Sequence, residues 1–308
     1  MIEHIPVLVE EVCDALEQAP RLERIVDATL GLGGYSEAFL SRWQNVCVLG
    51  IDRDRQALDE AQKRLSVFGS RVLFRQGNFR YLDQILDEED WQGPDGIVFD
   101  LGVSNLQLSV AERGFSFDLD GPLDMRMGNG TNGLSPSVTA EEIVNTRPVE
   151  DLAKIFRNYG EERFSLKIAR GIVKHREKSG PITSTQELVS VIRRTIPAPV
   201  QRKMGRNPAR KVFQALRIAV NDELQALEEA IGNCAKTAKP GMVIAFVSYH
   251  SLEDRIVKHS LRDLYSKGLG GFIHRGGVKP SEEEVYANKK ARSARLRAFL
   301  FQETQSKR

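Results

Sequence analysis

Ile25-Val26-Asp27-Ala28-Thr29-Leu30-Gly31-Leu32-Gly33-Gly34-Tyr35-Ser36 is the stretch on which the fold turns. Its β-branched start reads as a buried strand. Three glycines follow within four residues, and Ser36-Glu37-Ala38-Phe39-Leu40 begins a helical pattern with Ser36 placed to cap it. Strand, glycine turn and helix open a nucleotide-binding βαβ unit, because glycines let a ligand approach the backbone and a helix N-terminus offers free N–H groups. A second strand, Val46-Cys47-Val48-Leu49-Gly50-Ile51, ends in Asp52. An acid at that position accepts hydrogen bonds from ribose hydroxyls.

The alternation continues outward from this unit. Arg55 to Leu65 is amphipathic and helical, Arg71 to Arg75 reads as a third strand, and Gly96-Ile97-Val98-Phe99 as a fourth, ending in Asp100-Leu101-Gly102. This predicts a parallel sheet with ligands at the C-terminal ends of its strands. The alternation then stops. Val103 to Gly133 is rich in Gly, Asp, Ser and Asn, and helical patterns follow, among them Glu161 to Lys178 and a long one from about Pro208 to Ala235. Between them the Pro197, Pro199 and Gly205 region reads as a basic, irregular loop. The strand Met242 to Val247 resumes the sheet, and the tail offers two more, near Gly271 to His274 and Arg295 to Phe301. The expected organisation is one α/β domain, residues 1–105 and 212–308, carrying a helical insertion at 106–211.

Composition excludes several classes. With 41% hydrophobic and 28% charged residues among 308, the chain reads as an ordinary soluble protein. Its apolar runs are too short to cross a bilayer, and Met1 to Pro6 has neither a basic nor an apolar leader pattern. Cys13, Cys47 and Cys234 are scattered, and neither they nor the five histidines have metal-ligand spacing, so no disulfide framework and no metal is expected. A cytoplasmic setting follows, or an organelle matrix in a eukaryote. The net charge of +2 hides an asymmetry: residues 106–211 hold 18 basic and 12 acidic side chains. Between Leu188 and Asn221 lie Arg193, Arg194, Arg202, Lys203, Arg206, Arg210, Lys211 and Arg217 with no acid, and a second acid-free stretch carries Lys289, Lys290, Arg292, Arg295 and Arg297. Such runs favour a polyanion partner.

Asp52, Phe79 and Asp100 fall at or just beyond strand ends and should share one crevice with the glycine turn. Asp52 would hold ribose, Phe79 would lie against adenine, and Asp100 reaches the charged tail or reacting group. The turn lacks GxGxxG, and this set favours S-adenosylmethionine over a nicotinamide dinucleotide.

Several stretches resemble the RsmH (MraW) family of small-subunit rRNA cytosine-N4 methyltransferases. They are His4-Ile5-Pro6-Val7-Leu8, Asp100-Leu101-Gly102-Val103-Ser104, Glu112-Arg113-Gly114-Phe115-Ser116-Phe117, Asp120 through Met127, Tyr159-Gly160-Glu161-Glu162-Arg163, Phe213 through Ile218, His250 through Lys258, and Ala291 through Arg297. They span nearly the whole chain in order. The resemblance implies a class I (Rossmann-like) S-adenosylmethionine-dependent methyltransferase domain with a helical insertion. It implies methylation of the exocyclic amine of a cytosine in the decoding region of 16S rRNA, presented as rRNA or as the assembled small subunit. Cofactor contacts would fall on Gly33, Gly34, Tyr35, Asp52, Phe79, Asp100 and Gln107. The enzyme would be a monomer or homodimer, needing neither metal nor membrane.

The catalytic candidates are Asp100 and the Val103-Ser104-Asn105 segment, including Asn105, as acceptors for the amine. Phe115, Phe117, Tyr249 and His250 are candidates for stacking the extruded base, and Arg202, Lys203, Arg206, Arg210 and Lys211 for holding phosphates. The sequence departs from the family pattern at Tyr35, where His is usual, at Asn105 in place of a second serine, and at Ser248-Tyr249-His250 in place of Ser-Phe-His. It also departs at the basic Asn207 to Lys211 stretch. Tyr35 motivates an alternative, a catalytically weakened rRNA-binding assembly factor. An amino-methyltransferase of another nucleic acid is a second alternative.

Overall fold

The structure is a computed structural model describing residues 6–128, 138–204 and 207–303, with the side chains of Asn105, Lys203 and Met204 outside the description. The chain divides into two compact units, Met1–Gly102 with Leu224–Arg308, and Val103–Glu223. The expected insertion limits, 106 and 211, both lie inside the second unit.

The first unit is built on seven strands: β1 Arg24–Asp27, β2 Cys47–Asp52, β3 Val72–Gln76, β4 Gly96–Asp100, β5 Val243–Ser248, β6 Gly270–Phe272 and β7 Arg295–Phe301. Their order is β3-β2-β1-β4-β5-β7-β6. The first five run parallel, while β7 pairs antiparallel with both β5 and β6. Side chains alternate between two buried layers. Ile25, Val48, Val98, Val243, Ala245 and Leu296 face one core, and Val26, Leu49, Phe99, Ile244, Phe246 and Phe299 face the other. Helices cover both faces, so the strands are apolar almost throughout, as a doubly covered parallel sheet requires.

The second unit is helical, with its own core centred on Leu152, Phe156, Ile168, Leu188, Phe213 and Leu216. Two of the expected helices differ from the structure, one in its start and one by an interruption, each at a left-handed residue. The helix Val149–Gly160 ends at Glu161 (φ 47°), and the next runs Ser165–Ser179 rather than from Glu161. The pattern from Pro208 to Ala235 is two helices, Arg210–Asn221 and Glu223–Thr237, divided at Asp222 (φ 50°). Apolar periodicity runs through the break at Asp222 because the apolar stripe carries on across it, so spacing alone does not reveal it. The region expected as an irregular loop holds a short helix, Ala198–Met204. Gly160 has a packing role: a Cβ there would sit 2.5 Å from the Lys211 carbonyl oxygen, so the helices Val149–Gly160 and Arg210–Asn221 approach through a missing side chain.

The Asp120 to Met127 motif is held by polar anchors. Asn221 is buried, accepts from the Met127 N–H at 2.9 Å, and donates to the carbonyls of Met125 (2.7 Å) and Arg217 (2.9 Å). The buried Arg113 donates to the carbonyls of Arg126 (3.1 Å) and Met127 (3.2 Å). Met125 has a φ of 60°, unfavourable for a side-chain-bearing residue, and these bonds offset that cost. Asn221→Ala leaves Met127 N–H and Met125 C=O without their partner and is expected to cost about 2–3 kcal/mol, read from urea unfolding. A loss below about 0.5 kcal/mol, the scale of a neutral surface change, would show that the loop is held by other means.

Candidate active site

The strand order reverses between β1 and β4, which both neighbour each other and run parallel. Connections leave such a pair in opposite directions and open a crevice at the C-terminal ends. Asp27 and the glycine turn lie at the end of β1, Asp52 at the end of β2, and Asp100 at the end of β4. The turn is left-handed at Gly31 (φ 53°) and Gly33 (φ 79°), and a Cβ on Gly33 would lie 2.9 Å from Leu65 Cδ1. The helix Gly34–Arg42 starts directly from Gly33, which has no side chain to cap it, and in its first turn the Ser36 N–H is taken by the buried Asp27 carboxyl. Ser36, expected as the cap, is instead inside the first turn, and its hydroxyl donates to Asp27 Oδ2 at 2.7 Å. Asp27 is fully buried, and burial pushes its carboxyl up to about 6.

Asp52 accepts from the Gly31 N–H through Oδ2 and from the Asp54 N–H through Oδ1, both at 2.8 Å. The first bond ties the acid directly to the glycine turn. Burial raises its pKa, and the two N–H donors oppose that shift. Each carboxylate oxygen retains a second lone pair, which suits ribose hydroxyls. Phe79 begins a short 3₁₀ segment after β3, half-buried and edge-on to Phe99 at 5.8 Å.

Asp100 is the most heavily conditioned group. Its N–H donates to Thr29 Oγ1 at 2.6 Å, and its Oδ1 accepts from the Tyr249 hydroxyl at 2.7 Å. Burial pushes its carboxyl up to about 7, Tyr249 and Lys290 hold it down, and Asp27 and Glu253 raise it. Lys290 is itself lowered by burial, with Asp100 acting against that. Tyr35 is buried in the same neighbourhood, and its hydroxyl donates to the Val7 carbonyl. His250 caps the helix Ser251–Ser266: its Nδ1 accepts from the Glu253 N–H at 3.4 Å, while Glu253 Oε2 accepts from the N–H groups of Tyr249 (2.9 Å) and His250 (3.3 Å).

In the second unit, Gln107 and Ser104 form a reciprocal cap on the helix Asn105–Ser109, so the Gln107 carbonyl oxygen is engaged by the Ser104 N–H at 3.1 Å. Of Asn105 only the backbone is described. Phe115 is 5% exposed and belongs to the core, which removes it from the stacking candidates, and Phe117 packs edge-on against Phe213. Arg193, Arg194, Arg202, Arg210 and Lys211 are exposed. Lys211 donates to the Glu161 carbonyl at 2.7 Å, and Arg217 pairs bidentately with Glu223 at 2.8 Å. Arg206 lies outside the described residues. The second basic run is not a free cationic face: Arg297 is buried and bidentate to Asp254, Arg295 lies 3.7 Å from the same acid, and Lys290 faces Asp100. Lys289 and Arg292 are its exposed members.

Three participants were not singled out in the sequence for the part they play here. Asp27 is an acid inside a strand, Lys290 sits in a charge run, and the Tyr249 contact with Asp100 crosses 149 positions of chain. The motif Ser248-Tyr249-His250 drew attention to the tyrosine but carried no sign of its partner.

A family model described as the MraW methylase family matches residues 1–302. The chain is 46% identical over 314 residues to the Ribosomal RNA small subunit methyltransferase H of Salinispora arenicola, covering 96% of this chain and 82% of that protein. It is 43% identical over 311 residues to the protein of the same name from Carboxydothermus hydrogenoformans, covering 96% of each. Among solved structures, an rRNA methylase from Streptococcus thermophilus aligns with a TM-score of 0.45 at 12% identity, over 98% of this chain and 99% of that one.

The raised carboxyl of Asp100 has a consequence for stability. A carboxyl whose folded pKa lies near 7 against 3.8 for the free group binds a proton more tightly when folded, so its contribution falls as pH rises from about 4 to 7 and is fully unfavourable above. Asp100→Asn is therefore expected to raise the thermal unfolding midpoint at pH 8 and to leave it nearly unchanged at pH 4.5. An equal effect at both pH values would contradict the shift.

Proposed function

The chain belongs to the MraW methylase family, and from that premise we propose that Asp100 receives the exocyclic N4 amine of a small-subunit rRNA cytosine at a crevice where the glycine turn and Asp52 hold the methyl donor. The protein is a class I, S-adenosylmethionine-dependent rRNA methyltransferase. The observation that carries the residue assignment is the Asp100 carboxylate at the end of β4, beside the Gly31–Gly34 turn, with one oxygen already bound and a pKa near the working pH.

The residues present fit the cofactor. Gly33 and Gly34 would give the backbone approach, Asp52 the ribose contacts, Phe79 the adenine face, and Tyr35 a ring or backbone contact, its hydroxyl being engaged by Val7. Gln107 joins this set on the resemblance. When bound, the sulfonium supplies a methyl already activated for transfer, so the reaction asks for no metal. A cytosine amine is a weak nucleophile because its lone pair is delocalised into the ring. Asp100 accepts a hydrogen bond from it, favours a pyramidal nitrogen, and takes the proton released when the N–C bond forms. Alignment of the amine at about 3 Å supplies the rest of the acceleration. The target base must first leave its stack; Phe117 and His250 remain the stacking candidates, with Asn105 a further acceptor, while the Tyr249 phenol is bonded to Asp100.

The exposed guanidinium groups of Arg193, Arg194 and Arg202, with Lys203, Arg206, Arg210 and Lys211, serve the rRNA phosphates in this reading. The weakened-enzyme alternative rested on Tyr35, and that hydroxyl bonds a backbone carbonyl, while the phenol bonded to Asp100 is that of Tyr249. A monomer or homodimer working where small subunits assemble, in cytoplasm or organelle matrix, completes the proposal.

Two measurements test it. Asp52→Ala is expected to weaken S-adenosylmethionine binding about 10- to 100-fold by calorimetry, the scale of about 1–3 kcal/mol for unpaired hydroxyls; unchanged affinity removes Asp52 from the site. Replacing Arg193, Arg194 and Arg202 together by Gln is expected to weaken small-subunit binding and to flatten its log–log salt slope by about 2 to 3, at roughly 0.7–0.9 per phosphate contact. Cofactor affinity should stay as it was. A wild-type slope would make the run a solvated face.

A further inference from the structure

We propose that Tyr249 is the positioning residue of the transfer site, its phenol clamping Asp100 through Oδ1 so that Oδ2 is left as the acceptor for the incoming amine. The inference rests on the reading of Asp100 as that acceptor. Asp100 ends β4 and Tyr249 follows β5, its parallel neighbour, where Asp100 is in register with Val247. Two adjacent strand ends therefore bring carboxylate and phenol together at 2.7 Å.

Both partners are fixed independently. The Asp100 backbone is held by Thr29 Oγ1, and the Tyr249 backbone by Glu253 Oε2 at 2.9 Å. The ring lies against Gly102, whose φ of 106° suits glycine and whose absent Cβ would stand 3.5 Å from Tyr249 Cδ2. Within this unit and among the described residues, no donor reaches Asp100 Oδ2. One oxygen is thus spoken for, and the carboxylate cannot rotate without breaking a charge-assisted bond.

The clamp also sets the charge of the acid. Asp100 faces Asp27 on β1, Glu253 on the helix Ser251–Ser266, Lys290 on the 3₁₀ segment Lys289–Ser293, the Tyr249 phenol, and the Tyr35 phenol on the helix Gly34–Arg42. Burial, Asp27 and Glu253 favour the neutral acid; Tyr249 and Lys290 favour the carboxylate, Tyr249 the more strongly. The Tyr249 phenol is itself raised well above its ordinary range by burial and by Asp100, so it stays a donor throughout the working pH range.

The test is the pH dependence of single-turnover methyl transfer to small subunits, since a carboxylate acceptor makes the rate rise as Asp100 loses its proton. Tyr249→Phe keeps the ring against Gly102 and removes only the hydroxyl. It is expected to move the acid limb up by about one pH unit, leaving the high-pH plateau within a few-fold of the parent and the cofactor affinity unaltered. Replacing Tyr249 by 3-fluorotyrosine, a stronger donor of nearly the same size, should move the limb the opposite way, which a loss of packing cannot do. An unmoved limb in both variants overturns the clamp. Asp100→Asn separates the two layers: if it is inactive while both limbs stay put, the acceptor reading stands and Tyr249 is excluded. If Asp100→Asn turns over normally, the acceptor reading falls and the inference with it.

Discussion

A carboxylate that burial drives toward neutrality, held back by a phenol and a nearby ammonium, sits where the parallel strands of the first unit end. The strand order puts Asp100 beside the end of β1, where Asp27 already sits buried and bound to Ser36. Two acids so close in a low-dielectric setting cannot both ionise freely. Their donors differ. Asp27 keeps a neutral hydroxyl and a long bond from the Thr29 N–H at 3.4 Å, and it reads as a structural brace for the glycine turn. Asp100 keeps a phenol and a nearby ammonium, and so lies near the point where it can either hold or release a proton. In the proposed reading the first acid braces and the second works, and the difference between them comes from environment.

The second unit answers a different constraint. Phe115 was read as a surface for a flipped base, yet it is buried, as is Arg113 beside it, and the segment through Met127 is tied to Asn221. Long stretches of specific sequence here serve to hold an irregular backbone, including a left-handed Met125, in place of regular secondary structure. Arg193 and Arg194 on the Thr185–Thr195 helix and Arg202 on the Ala198–Met204 helix are among the unit's exposed basic side chains.

The legibility of the sequence follows the range of the forces involved. The strands of the first unit, the glycine turn and the acids at strand ends were readable because each is a local pattern: β-branched runs, small residues and an acid at a fixed offset. The reversal at β7 was not, nor was the break at Asp222, since an apolar stripe crosses a left-handed residue without changing its spacing, nor the start at Ser165 that the left-handed Glu161 imposes on the helix expected from Glu161. The helix start at Gly33 displaced Ser36 because a buried acid nine positions earlier competes for its hydroxyl. The tail's basic run misled for the same reason: Asp254 lies 43 positions from Arg297 in sequence but 2.6 Å from it in space.

A site of this kind carries its own cost. Keeping a carboxylate ionised inside a sheet unit lowers stability at the pH where it works, and a neutral amide in its place would relieve that. Asp100 meets this cost with the Tyr249 phenol and the Lys290 ammonium both favouring its charged form, while Gly102, at a φ of 106°, lies in ordinary contact with the Tyr249 ring. The buried acids with raised pKa lie where β1 and β4 end beside β5, and it is there that the chain's chemistry has to be sought.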